Sequence, residues 1–162
     1  MRILTATLFT ALAANAANAQ IQTPDAFQFG SGLDAMQPHF DALCASHDVR
    51  TLDPAELPIA ETSHVQVDCR GFEHAGGPRL AEFVFADDAL AFVWVLTEAD
   101  EDPALRAQLV AAHGDPSHDT AMFVAFTQAN SALRRDIPEL LYYGEAVAPM
   151  YGAWFDQMAA AQ

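Results

Sequence analysis

Four side chains of ligand type fall within seven residues of one another: His113, Asp115, His118 and Asp119. Two imidazoles with carboxylates nearby can hold zinc or another transition metal, and such a site would support hydrolysis. The spacing argues against it. His113 and His118 are five residues apart across Gly114 and Pro116, whereas a helix-borne pair uses i, i+4. A histidine favoured by the dipole at a helix C-terminus, followed by a solvated aspartate-rich turn, accounts for the same residues. His39, His64 and His74 have no neighbouring ligand pattern. Ser31, in Gly30-Ser31-Gly32, follows no buried strand and lacks the Gly-x-Ser-x-Gly setting of a nucleophile elbow. Asp87 and Asp88 are adjacent in a tight turn, so their carboxylates should point apart and face water rather than work as a pair. The expectation is therefore a non-enzymatic protein without a cofactor, with a small metal-dependent hydrolase using His113 and His118 as the alternative.

Binding is what the remaining residue types can do. Tyr142 and Tyr143 are adjacent in a strand-like segment, so they must split between two faces and one ring becomes a candidate exposed anchor. Arg134 and Arg135 are the only adjacent basic pair in a chain of 22 Asp and Glu against seven Arg. They pair with carboxylates of the chain or form a small anion-binding spot. Val93 and Val95 belong to a third candidate surface, described below.

The elements that must position these residues begin after a leader. Residues 1–19 carry Arg2, an apolar run from Ile3 to about Ala14, and a small-residue close at Ala17-Asn18-Ala19. That is the pattern of a secretory signal peptide, too short to span a bilayer and without stop-transfer charges. The expected product is a soluble periplasmic or secreted bacterial protein with no stable membrane insertion. Without Arg2 the formal charge moves from −15 to −16. Such a field repels nucleic acid and anionic lipid and favours a basic partner, although it also serves solubility alone. In an oxidising compartment Cys44 and Cys69 are expected to pair as a structural disulfide.

Residues 20–32 read as an arm and 33–159 as one α+β domain. Leu33, Met36, Phe40 and Leu43 have helical spacing, with Asp34 near the start and Pro38 delaying the well-formed part. Asp48 to Glu61, broken by Pro54 and Pro58, reads as a connector. His64 to Phe72 alternates as a half-buried strand, HAGGP (74–78) is a turn, and Arg79–Ala86 with Ala89–Thr97 form a hairpin about Asp87-Asp88. In the second of these strands Leu90, Phe92, Trp94 and Leu96 alternate with Ala89, Ala91, Val93 and Val95. The bulky set is expected in the core under helices. The small set, Val93 and Val95 included, is expected nearer the surface, covered by the C-terminal helix, a second copy or a protein partner. Asp102-Pro103 opens a helix that Gly114 and Pro116 close. Strands follow at Ala121–Thr127, Ala132–Asp136 and Glu139–Tyr143, then an aromatic helix at 146–158. The order suggests two helix-plus-strands units in tandem, 33–97 and 102–144, sharing one antiparallel sheet with helices mainly on one face.

Gly32, Leu33, Met36, Phe40 and Leu43 in the first helix, with His113, Gly114 and Pro116 ending the second, resemble the beta-lactamase-inhibitor-like fold, also found in small BamE/SmpA-type outer-membrane assembly proteins. The resemblance covers roughly residues 30–144 and implies an exported, non-enzymatic binding protein. The chain departs from that pattern in Pro38, in its extra aromatic helix and in having no lipobox cysteine. The functional expectation is an exported protein-binding or envelope-associated accessory module, or else a purely structural homodimeric periplasmic domain.

Overall fold

The computed structural model describes residues 21–161; residues 1–19, read in the sequence as a signal peptide, lie outside the described residues. Helix α1 (Leu33–Leu43) leads into four strands, β1 (Ser46–Leu52), β2 (His64–His74), β3 (Gly77–Ala86) and β4 (Ala89–Leu96). Helix α2 (Asp102–His113) leads into four more, β5 (His118–Asp119), β6 (Phe123–Phe126), β7 (Ser131–Arg134) and β8 (Glu139–Tyr143), and α3 (Ala148–Ala160) closes the chain. The strands form a single antiparallel sheet in the order β1-β2-β3-β4-β8-β7-β6-β5. The order helix then four-strand meander thus occurs twice, and the two meanders join through their last strands. The fold is α+β, with three helices packed on the sheet.

Tight hairpins make this meander. Ala75 and Gly76 (φ 50° and 88°) turn β2 into β3, and Asp87 and Asp88 (φ 50° and 61°) turn β3 into β4. Two successive positive φ values match the twist of antiparallel strands, and aspartate is one of the few residues that tolerates them. Both aspartates also work at a distance. The N–H of Leu33 donates to Asp88 Oδ1 at 3.1 Å, which caps α1 from another part of the chain. Gly32 permits the approach, since a Cβ there would lie 3.0 Å from Asp88 Oδ2. With that cap α1 starts at Leu33, earlier than Pro38 suggested, and Pro38 lies within it. The segment read as a connector begins with a regular strand, β1, missed because almost all of it is exposed.

One face of the sheet packs under α1 and α2. Val67, Cys69, Phe83, Phe85, Val93, Val95, Leu133, Leu140 and Tyr142 meet Met36, Phe40, Leu105 and Leu109, and Ile21 and Phe27 of the N-terminal arm join them. Cys44, at the end of α1, is disulfide-bonded to Cys69 on β2, with Cα atoms 5.2 Å apart. The other face packs under α3, where Val84, Phe92, Phe123, Leu141 and Tyr143 meet Val147, Tyr151 and Phe155. No helix among the described residues is long and apolar enough to cross a membrane.

The faces of β4 are the reverse of those expected. The register slips between Val84 and Phe85, so Phe85 pairs with Leu90 while Val84 pairs with Phe92. This bulge takes Ala91 out of the alternation. Leu90 therefore joins Val93 and Val95 under α1 and α2, and Phe92 and Trp94 face α3. The small set is not a surface awaiting a cover. Val93 and Val95 are wholly buried.

Candidate functional site

The aromatic-bearing face of β4 floors a groove. After Gly144 the chain turns into α3, with Pro149 in the first turn, where its missing N–H costs nothing. The small side chains of Ala132 and Ala125 on β7 and β6 let α3 lie close to the sheet. Tyr151 then stacks over Tyr143 (ring centroids 4.7 Å) and meets Phe92 edge-on at 5.8 Å and Trp94 at 6.5 Å. From the other side comes the segment between β1 and β2. Asp53 caps its short 3-10 turn (Pro54–Glu56) through the Ala55 N–H at 2.9 Å, and Leu57, Ile59 and Ala60 pack on the same core as α3. This strap is clamped at its far end by Asp87, whose carboxylate accepts from the backbone N–H groups of Glu61, Thr62 and Ser63 and from the Thr62 hydroxyl.

Between strap and helix lies a cavity of about 420 Å³, lined by Leu57, Pro58, Phe92, Trp94, Arg134, Met150, Tyr151 and Trp154. Its volume is within the range of small-molecule or side-chain pockets. A second cavity, about 740 Å³, opens on the other side of Pro58 and includes Phe29, Ala91, Asn130, Tyr143 and Gly144 among its lining. The strap thus forms a wall of both.

Arg134 closes one end of the smaller cavity. Its guanidinium lies 5.1 Å from the Trp94 ring centroid, a cation–π contact. Nη1 donates to Glu139 at 2.7 Å, and Nη2 and Nε donate to Asp136 at 2.8 and 3.2 Å. Glu139 is buried, and loss of water pushes its carboxyl up to about 7, against the opposing pull of Arg134. Glu82, the cross-strand neighbour of Trp94, is also raised, by burial and by the charge of Asp68. The groove is therefore apolar in its lining, holds one cation that carboxylates immobilise, and is flanked by two acids reluctant to ionise. It can hold an apolar or aromatic group by contact. Its lining offers no nucleophile beside a general base.

The residues singled out in the sequence are dispersed. Tyr142 and Tyr143 do face opposite sides, but both are buried, so neither ring is an exposed anchor. The Tyr142 hydroxyl and His74 Nε2 are hydrogen-bonded at 2.6 Å, and desolvation, with the nearby Arg79, holds His74 down at about 4 and keeps it neutral. Arg135 pairs with Asp102 at 2.8 Å and Asp119 at 3.1 Å, so neither arginine of the pair is a free anion spot. All six arginines of the described residues have carboxylate partners in the chain. His118 bonds Asp156 at 3.0 Å and Ser117 at 3.1 Å, while His113 packs on Phe126, 5.8 Å between centroids. Asp115 contributes its backbone carbonyl to Gln128. No group of three ligand-type side chains converges among the described residues. Asp87 and Asp88 serve different partners and are both exposed, and each also accepts from backbone amides.

Apart from Arg134, a binding candidate in the sequence, the groove residues read there as core or connector. The signal that could have found them is Leu57 and Ile59, apolar residues in a proline-bounded connector that had to be buried somewhere. No family model, curated protein or solved structure matches this chain.

Proposed function

We propose that the protein is an exported, non-enzymatic binding module that holds an apolar or aromatic side chain of a protein partner in the groove between the strap and α3. The observation that carries this reading is the groove itself, a cavity of about 420 Å³ walled by Phe92, Trp94, Met150, Tyr151 and Trp154. Aromatic and Met side chains of this kind dominate the energetic centres of interfaces. The signal-like leader and the Cys44–Cys69 disulfide support an oxidising, extracytoplasmic setting. A formal charge of −15 for the whole chain supports a partner with a basic surface and argues against nucleic acid.

The chain has two tryptophans, Trp94 and Trp154, and both line the groove, so intrinsic fluorescence reports on its occupancy alone. Titration with short basic peptides carrying one Trp-free aromatic anchor should shift or quench that emission, and the same peptides with Gly at the anchor should not. Met150→Ala should weaken binding by about tenfold, the scale of a side chain near an interface centre. An emission spectrum unmoved by every anchor-bearing peptide up to about 1 mM, the weak limit of specific binding, would reject the proposal.

A further inference from the structure

The outermost strand, β1, has a partner on one side only. Its seven residues pair with β2 from Ser46–Arg70 to Leu52–His64, and no strand of the described residues lies beyond it. The opposite edge, β5, is two residues long and offers almost no template. A long edge is usually blunted by charged side chains, prolines or bulges, and charges of opposite sign blunt it only against strands that do not complement them. β1 carries Asp48, Val49 and Arg50 in succession, with Val49 48% exposed. Apart from Ile137, no other large apolar side chain of the described residues is so open.

The sequence Ser46-His47-Asp48-Val49-Arg50-Thr51-Leu52 is complementary to itself when one strand is laid antiparallel on another about Val49. Val49 then meets Val49 of the second copy, Asp48 meets Arg50, and Arg50 meets Asp48. Both side chains are accessible although each has a partner within the chain: Asp48, 4.0 Å from Arg70, is 69% exposed, and Arg50, bonded to Asp68 at 3.0 Å, is 46% exposed. Opposite charges directly across an antiparallel pair stabilise it, and a valine pair adds apolar contact at its centre. From this we infer that β1 is a homodimer edge: a second copy of the chain adds to it about a two-fold axis through Val49, joining the two sheets into one. The interface is isologous, so each Asp48–Arg50 contact occurs twice. It lies at the end of the sheet opposite the α3 packing and does not depend on the groove.

The folded chain with its disulfide intact is the material for the test, in about 0.15 M salt so that repulsion between two acidic copies is screened beyond about 8 Å. Sedimentation velocity should show a monomer–dimer equilibrium that shifts with concentration up to about 0.5 mM. Val49→Lys places like charges on the axis and should weaken the dimer at least about tenfold, with an unchanged circular dichroism spectrum. In Val49→Cys the two new thiols sit across an antiparallel pair, within about 5.5 Å between Cα atoms, and mild oxidation should link the copies. In Thr51→Cys the equivalent atoms are about 14 Å apart and should not link. A monomer at every concentration, a Val49→Lys dimer as tight as the parent, or cross-linking of Thr51→Cys as fast as Val49→Cys would each overturn the inference. Should Val49→Lys fail to fold, the two cysteine variants still decide it.

Discussion

The two faces of the sheet are built from alternate residues of the same strands and come out differently. Under α1 and α2 a cross-strand row runs Val67, Phe83, Val93, Tyr142, Ser131 and Phe126, apolar apart from Ser131, and continues to Val49 on the exposed edge. On the other side the row runs Asp48, Asp68, Glu82, Trp94, Leu141, Ala132, Ala125 and His118. It changes from charged to aromatic to small as it crosses the sheet. The alanines admit α3 at one end, the carboxylates keep the other end open, and the groove forms at Trp94 where the two regimes meet. One face is sealed for stability. The other is graded, and its boundary is where a ligand could sit.

The largest effect should separate the faces directly. Phe83 is fully buried, with ring contacts to Phe27, Phe40 and Phe72 at 5.3, 5.0 and 6.1 Å. Phe83→Ala should cost about 4 kcal/mol, the usual loss for a large ring in a closed core. Trp154, on the groove wall, is only partly buried, and Trp154→Ala should cost about 1–2 kcal/mol despite the larger side chain. Urea denaturation of both variants checks the contrast. Equal losses would mean that the groove wall is core after all.

What the sequence disclosed follows from where local chemistry agrees with packing. Helix α2 was legible because Asp102, Pro103, Gly114 and Pro116 punctuate it at both ends. The disulfide was legible because only two cysteines exist and the leader suggests export. β1 was not, because an edge strand exposed on most of its length has no apolar period to read. The bulge moves Leu90 alone to the side of Val93 and Val95, and nothing in ALAFVWVL marks it; which side of β4 meets α1 and α2 rather than α3 is set by helices remote in sequence. Ile21 and Phe27 are buried without belonging to any periodic segment. The groove escaped for a related reason. It needs β4, α3 and the strap together, three segments far apart in sequence.

A smaller, pH-dependent effect tests the charged end of the graded face. Burial holds the Glu139 carboxyl up at about 7, well above its unfolded value. A raised folded value means that the native state binds the proton more tightly than the unfolded chain. The stabilisation is complete below about pH 4.3 and is lost as pH rises through about 7. Glu139→Gln keeps an acceptor for Arg134 and removes the titration. The loss of stability between pH 5 and pH 8 should therefore shrink by about 2 kcal/mol in the variant. Urea midpoints at the two pH values measure it, and an unchanged difference would locate the pH dependence elsewhere.

The smallest global effect is expected at the Asp87-Asp88 turn, where two exposed carboxylates serve different parts of the molecule. Asp87 accepts from the N–H groups of Glu61, Thr62 and Ser63 at 2.9, 2.7 and 3.0 Å, and these bonds, the Glu61 N–H first, hold its carboxyl well below the usual carboxylate range. The sign is opposite to that of Glu139. The contribution is present above about pH 4 and fades only as pH falls through the lower folded value. Asparagine is the substitution that tests each role, because it tolerates the left-handed backbone that both positions require. Asp88→Asn retains an oxygen for the Leu33 N–H and should leave α1 nearly unchanged, since asparagine caps a helix about as well as aspartate. Asp87→Asn loses the charge that three amides converge on. Amide exchange at Glu61, Thr62 and Ser63 should accelerate about tenfold while the slowest core amides keep their protection, the pattern of local opening. The strap carries Leu57 and Pro58, one wall of the groove. Its loosening should therefore also make Trp94 and Trp154 more accessible to acrylamide in Asp87→Asn but not in Asp88→Asn. Equal quenching in the two variants would show that the wall is held by the apolar packing of Leu57, Ile59 and Ala60 alone, with the Asp87 clamp irrelevant to the groove.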